Sequence, residues 1–366
     1  MMVAPVQVLP RVFFSFLLSF GICFSAMAQY SEPIGEKVEA AAHSVEHVAS
    51  EEVEVDPAEV IMDHITDSHD WHIMDVKGEH GEMHPISVSL PVILLTDGSL
   101  DMFMSSAFEH GHAAVTKGAN TYALKEGKIV ETSGKSVLDF SITKNAAGML
   151  FSVVIIILLF TSVAASYKKG GAPKGLASFM EPIILFVKDD IAIPNIGEHK
   201  AHKFLPYLLT VFFFIWINNI FGLIPIAPFG ANITGNIAFT LVLATFTLVI
   251  TNINGTKAYW SHIFAMPGVP LWLAPIMIPV ELIGIISKPF ALMIRLFANI
   301  TAGHVLILGL VMLIFIFKSF YVAPVSIAFM VFLSLLEVLV AALQAYIFTL
   351  LSALFIGSAV AEGEHH

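Results

Sequence analysis

The chain has 366 residues, of which 57% are hydrophobic and 13% charged, with a mean hydropathy of +0.82 and a formal net charge of −11. A soluble domain carries about 25% charged residues, so most of this chain faces lipid or other apolar helices. The charge is also uneven. Residues 29–140 hold 21 of the 29 acidic residues, and the net negative charge makes nucleic acid an unlikely partner.

At the N-terminus Arg11 precedes an apolar run, 12–24, and Ala26-Met27-Ala28 follows it. A short apolar run closed by an A-x-A-like site reads as a secretory signal peptide over 1–28. An uncleaved anchor is the other reading, but the run falls short of the roughly 20 residues of a span. The one cysteine, Cys23, lies in this run. Cleavage after Ala28 would leave a chain without disulfides or thiol chemistry.

Residues 29–140 then form a polar exported region. Its first part, 36–59, is rich in Ala, Glu, His and Val, the composition of a mobile or partly helical stretch. The stretches 86–95, 119–124 and 128–132 read as short strands, with turns at Asp97-Gly98 and Glu126-Gly127. The histidine spacings here (His43/His47, His64/His69/His72, His80/His84, His110/His112) match no strong metal motif, so a solvated surface is expected and no metal or cofactor.

The membrane domain spans 141–361. Apolar spans are expected at 146–167, 204–224, 237–252, about 271–317 and about 325–360. The stretch 175–192 mixes Glu181, Lys188, Asp189 and Asp190 with apolar residues, the pattern of an amphipathic helix lying on the membrane face. The fold class is therefore an all-α polytopic membrane protein of five transmembrane helices plus one surface helix, preceded by a small β-rich region. Six lysines in 168–203 and one in the 253–268 loop mark the cytoplasmic side. The N-terminus is then outside, and the tail 362–366 is inside.

Between 204 and 361 the only charged residues are Lys257, Glu281, Lys288, Arg295, Lys318 and Glu337. An ionisable residue within a span costs about 2.5–3.5 kcal/mol or more, so it is a functional candidate by default. Glu281, Lys288 and Arg295 are spaced by sevens and fall within roughly 40° on a helix, with Asn299 about 40° to the other side. Glu337 and Gln344 repeat the seven-residue spacing on the last helix, where Ala341, Ala342 and Ala345 permit close helix approach.

Arg295 is a charge that cannot be deprotonated under ordinary conditions. It attracts a carboxylate 4 Å away by about 4 kcal/mol at an effective dielectric of 20. Such a group suits a gate: it makes a passing acid release its proton and does not relay one itself. His304 and Glu337 can titrate and suit relay. Glu281 lies about 21 Å from Arg295 along an ideal helix and His304 about 13.5 Å the other way, a layout of two polar routes with the arginine between. Blander readings stay open. Lys288, before Pro289, could snorkel or cap; Glu281 could be interfacial; Gln344 could be an interhelical hydrogen-bonding group. Asn218-Asn219 could be helix packing or the mouth of a pathway.

Ser287-Lys288-Pro289 followed by Arg295-Leu296-Phe297-Ala298-Asn299-Ile300-Thr301-Ala302-Gly303-His304 resembles the most recognisable segment of the subunit a family of F-type ATP synthases. Leu343-Gln344-Ala345-Tyr346-Ile347-Phe348 resembles its second motif and Asn218–Pro225 a weaker third; the likeness covers about 145–361. The resemblance implies a non-catalytic, ion-conducting stator whose last two long, tilted helices wrap a rotating c-ring. Arg295 would face the ring's carboxylates. Asn299, His304, Glu337 and Gln344 would line the outer half-channel and Glu281 the inner one, with Lys288 in the same set. The acid and histidine stand in the reverse order to familiar bacterial members, resembling the mitochondrial form. The long exported region resembles that of Bacteroidetes-like members. Implied partners are the c-ring, peripheral-stalk b subunits through 168–203, membrane lipid, and H+ or Na+; the implied location is a bacterial inner membrane. No G-x-x-x-x-G-K-[ST] occurs. The rivals are a cation-coupled secondary transporter, which would predict inverted repeats, and an assembly protein, in which Arg295 would be dispensable.

Overall fold

The computed structural model describes residues 67–77, 83–111, 113–125, 127–168, 174–224, 229–264, 273–317 and 322–361. The expected signal peptide, the segment 36–59 and the tail 362–366 lie outside these residues. The described chain divides into two compact units, one of residues 67–144 with 304–332, the other of 145–303 with 333–361.

In the first unit, period-two alternation builds strands. β1 (Asp70–Lys77) pairs antiparallel with β2 (Met83–Ser89). β3 (Pro91–Thr96) is the middle of a three-stranded antiparallel sheet, flanked by β4 (Ser99–Met104) and β8 (Val137–Asp139). A second such sheet is formed by β5 (Val115–Lys117), β6 (Asn120–Lys125) and β7 (Lys128–Glu131) in that order. The single strand expected over 86–95 is thus two strands broken at Leu90. Pro91 cannot donate to a ladder, and it opens the second strand, a position proline tolerates. Asp97 and Gly98 both have positive φ, 49° and 82°, as a two-residue hairpin that follows the strand twist requires.

Val92, Leu94, Phe108, Val115, Tyr122 and Ile129 form the core of this region. Its buried carboxylates and the Tyr122 hydroxyl are paired. The Tyr122 hydroxyl donates to Asp101 Oδ2 at 2.6 Å and lies 2.9 Å from the Thr96 hydroxyl. That donor, helped by the Asn120 amide, holds the Asp101 carboxyl below the usual carboxylate range. Asp139 lies 2.9 Å from His69 Nε2 and accepts from the Ser141 N–H at 2.8 Å. Burial pushes the Asp139 carboxyl up, but these bonds outweigh it and the group sits below its ordinary range.

Helices follow. α1 (Lys144–Lys168) starts where the Lys144 N–H donates to Ser68 O at 2.8 Å. The expected surface segment is α2 (Leu176–Leu185), a π-helical stretch Phe186–Ala192 and the short α3 (Ile193–Ile196). Gly197, at φ 90°, ends it. α4 (Glu198–Gly222) therefore begins six residues earlier than the apolar run at 204 suggested. Its first turns use two lysines counted as loop charge: Lys200 Nζ donates to Val360 O at 2.8 Å, and Lys203 Nζ to Asn254 Oδ1 at 2.6 Å. α5 (Ile237–Ile253) is followed by α6 (Lys257–Phe264), a helix where a loop is expected from the sequence, bent from α5 by 101°.

α7 (Ala274–Phe317) and α8 (Val322–Val360) have 44 and 39 residues. At 1.5 Å per residue they are about 66 and 58 Å long, roughly twice a ~30 Å hydrocarbon core, a mismatch that tilting or kinking accommodates. Four helices are long and apolar enough to cross a membrane, or five if α5 and α6 count as one broken span. They differ in cover. Of the apolar window in α4, 78% is buried, against 6% in α7 and 11% in α8. α4 is the most buried of these helices, with the Phe214 ring 5.4 Å from Phe239 of α5 and the Phe213 ring 5.0 Å from Phe160 of α1. The last two helices present apolar surface that the described residues do not cover.

Candidate functional site

Arg295 sits midway in the apolar segment Pro275–Ile314 of α7. Leu292, Met293 and Leu296 are buried on one side of the helix, whereas Ala291, Ile294, Arg295, Ala298, Asn299 and Ala302 are exposed on the other. The three- and four-residue spacing of this stripe is one helix face. Its alanines let a second surface approach closely. Arg295 makes no hydrogen bond or ion pair among the described residues. A guanidinium at mid-span with apolar neighbours demands a carboxylate or water from elsewhere.

The acid of α8 meets α7 at a glycine. A Cβ placed on Gly303 would collide with Oε1, Cδ and Cγ of Glu337. The absence of a side chain at Gly303 is what admits the carboxylate to the α7 backbone. Glu337 Oε2 is buried without a partner among the described residues, and such an oxygen is stable only with water or a proton at it. Gln344 is 3% exposed between the fully buried Ala341 and Ala345. His304 is half-buried and begins the stretch 304–332, which belongs to the other unit. The outer set is therefore divided: Arg295 and Asn299 are exposed, Glu337 rests on Gly303, and Gln344 is packed.

Asn218 and Asn219 are both buried, Asn218 with its Oδ1 lacking a partner among the described residues. Asn219 accepts from Thr234 Oγ1 at 2.6 Å and donates to Ala341 O at 3.3 Å, which joins α4 to α8 one turn before Gln344. Asn218 donates to Phe214 O in its own helix.

At the other end of the same unit, a cleft lies among α5, α6, α7 and α8. It is lined by Thr247, Thr251, Tyr259, Lys288, Phe355 and Ser358, among others, and has room for a water molecule. A buried hydroxyl ladder enters it: Tyr207 Oη lies 2.7 Å from Thr247 Oγ1, which lies 3.2 Å from Ser352 Oγ. Thr251 Oγ1 is buried with no partner among the described residues. Lys288 lines the cleft, with Nζ 5.8 Å from the Phe355 ring centre, a cation–π geometry. Glu281 is two turns away on α7, with Oε1 3.8 Å from His262 Nδ1. Sequence reasoning put Glu281 first on this side. It missed the threonines, although Thr247 and Thr251 are four apart on one face of α5, a signal of the same kind as Glu337 and Gln344.

Comparison with known proteins agrees with this geometry. The family described as ATP synthase A chain matches residues 147–357. A second family, described as Domain of unknown function (DUF8433), matches residues 60–148. The chain is 47% identical over 235 residues to a protein of Chloroherpeton thalassium named ATP synthase subunit a, covering 62% of this chain and 69% of that one. It is 49% identical to ATP synthase subunit a 2 of Chlorobaculum tepidum, covering 62% and 66% respectively. To ATP synthase subunit a of Myxococcus xanthus it is 41% identical over 266 residues, 71% of this chain and 86% of that protein. With more than half its length matched and an uncovered arginine at the middle of a long apolar helix, the chain belongs to the ATP synthase A chain family.

Proposed function

We propose that Arg295 separates two aqueous half-channels through which ions reach and leave the carboxylates of a rotating c-ring. Membership of the subunit a family makes the chain the ion-translocating stator component of the membrane sector, a subunit of the synthase complex. The reading adds which residues do what. An ion enters from the outside past Glu337 and His304, with Asn299 and Gln344 on the same route. It loads a ring carboxylate and, after almost a full rotation, is released beside Arg295. It leaves through the cleft of Lys288, Thr251 and Tyr259, with Glu281 towards the exit. The chain itself forms no bonds in ATP synthesis.

The observation that carries this is the exposed guanidinium of Arg295, on a stripe with alanines and without a partner among the described residues. A charge so placed is favourable only when a counter-charge is brought to it. A moving carboxylate meets that need, and a permanent cation also stops direct passage between the two routes. A cation-coupled transporter finds no support in the family match.

The same reading assigns 1–28 to a signal peptide, 29–140 to the periplasm, 141–361 to the bacterial inner membrane and 362–366 to the cytoplasm. Peripheral-stalk b subunits would meet 168–203. H+ is the ion proposed; Na+ would show as sodium dependence of ATP synthesis.

Arg295→Gln tests the gate. In membrane vesicles, ATP synthesis driven by a proton gradient should fall to background while membrane-bound ATPase content shows normal assembly. Synthesis near the wild-type rate would remove the arginine from the mechanism.

A further inference from the structure

We propose that the outer face of the β4-β3-β8 sheet is a lipid-docking surface that rests on the bilayer. Alternation turns Val92, Leu94 and Thr96 of β3 inward and leaves the intervening residues on the other face. Antiparallel register puts Ile93 opposite Met102 and Leu95 opposite both Leu100 and Leu138. The Phe140 N–H donates to Ile93 O at 2.8 Å, so Phe140 extends the same row. Exposures are 60% for Leu100 and Met102, 47% for Met104, 40% for Leu138 and 42% for Phe140. None of these side chains carries a charge or a hydrogen-bonding group. A contiguous apolar sheet face of this kind marks an interaction surface.

Lipid is the occupant the chain itself points to. The Ile142 N–H still donates to Pro91 O at 3.1 Å, and the Lys144 N–H donates to Ser68 O at 2.8 Å. Thr143 alone separates the last sheet bond from the first residue of a 25-residue spanning helix. The sheet's last bond is thus two residues in sequence from the start of a spanning helix. Protein interfaces carry about one hydrogen bond per 100–200 Å², and this face has no side-chain donor or acceptor to offer. The preceding segment 36–59, with eight acidic residues, is chemically a poor cover for it. Amphipathic apolar faces bind instead at the boundary of headgroups and acyl chains. The inference holds whichever side of the membrane the region occupies.

The test uses the full chain in phospholipid nanodiscs, in a Cys23→Ser background. An environment-sensitive fluorophore is attached at Met102→Cys and Leu100→Cys on the face, and at Lys128→Cys on an exposed strand of the other sheet. Both face positions should emit to the blue of the Lys128→Cys label. They should lose emission to a phospholipid spin-labelled near its headgroup and be protected from aqueous iodide. Iodide quenching equal to that at Lys128→Cys would overturn the proposal, because the face would be wet. Blue emission insensitive to the lipid quencher would overturn it too, because protein, whether another segment or a second copy, would be the cover. Two face positions guard against one variant failing to fold.

Discussion

The β-rich region and the long helices α7 and α8 handle ionisable side chains in opposite ways. In the β region each inward acid has a donor: Tyr122 for Asp101, His69 and Ser141 for Asp139, and Ser133 and the Lys135 N–H for Glu131. In the helices, Arg295 is exposed and Glu337 Oε2 has no partner among the described residues. Groups satisfied inside the chain stabilise a fold, and their loss is local. Groups left unsatisfied at membrane depth cost stability, which makes them functional candidates by default.

The contrast can be broken most sharply at Glu337. Glu337→Gln keeps shape and removes the titrating group. It should lower ATP-driven proton pumping, read by acridine-dye quenching in vesicles, roughly 100-fold, or about 2.7 kcal/mol. His304→Glu combined with Glu337→His should retain more pumping than either single change. Equal loss in all three would argue against a shared relay.

Gly357→Ala probes pure packing in the same helix. Its Cβ would strike the backbone carbonyl of Asn195, and backbone cannot step aside cheaply. About 2 kcal/mol of stability should be lost, visible as a lower unfolding temperature of the detergent-purified chain. An unchanged temperature would mean that α8 does not seat there.

Gly303→Ala sharpens the distinction, because the atoms it would strike belong to a movable carboxylate. The fold should survive, and pumping should fall about tenfold, the effect of about 1.4 kcal/mol. If stability falls instead while specific activity holds, Gly303 is a packing glycine only.

The smallest effect is expected in the β region. Asp139 has a folded pKa depressed below the ordinary value near 3.9. Its stabilising contribution is therefore present above that value and is lost as pH falls through the folded one. Asp139→Asn should cost about 1 kcal/mol at neutral pH and flatten this acid dependence, read from hydrogen exchange at the Ser141 amide. Proton pumping should not change.

The spans were legible because apolar runs of that length have no other stable environment, and the observed helices differ from the expected ones by a few residues. Arg295, Glu337 and Gln344 were legible as polar exceptions at seven-residue spacing. The turn at Asp97-Gly98 was legible from residues that accept positive φ. The break at Leu90, the helix α6 and the π-helical stretch were not, since each depends on which backbone groups find partners once neighbours are in place.

The sequence by itself determined that this is a membrane protein with one arginine at the centre of a long helix, because hydrophobic length and side-chain identity are local properties. Tertiary structure decided that this charge is uncovered while Gln344 is packed, and that Glu337 reaches α7 through a missing side chain at Gly303. It also gathered Thr247, Thr251, Tyr259 and Lys288 around one cleft. Exposure and proximity belong to pairs of helices, and no single helix encodes them.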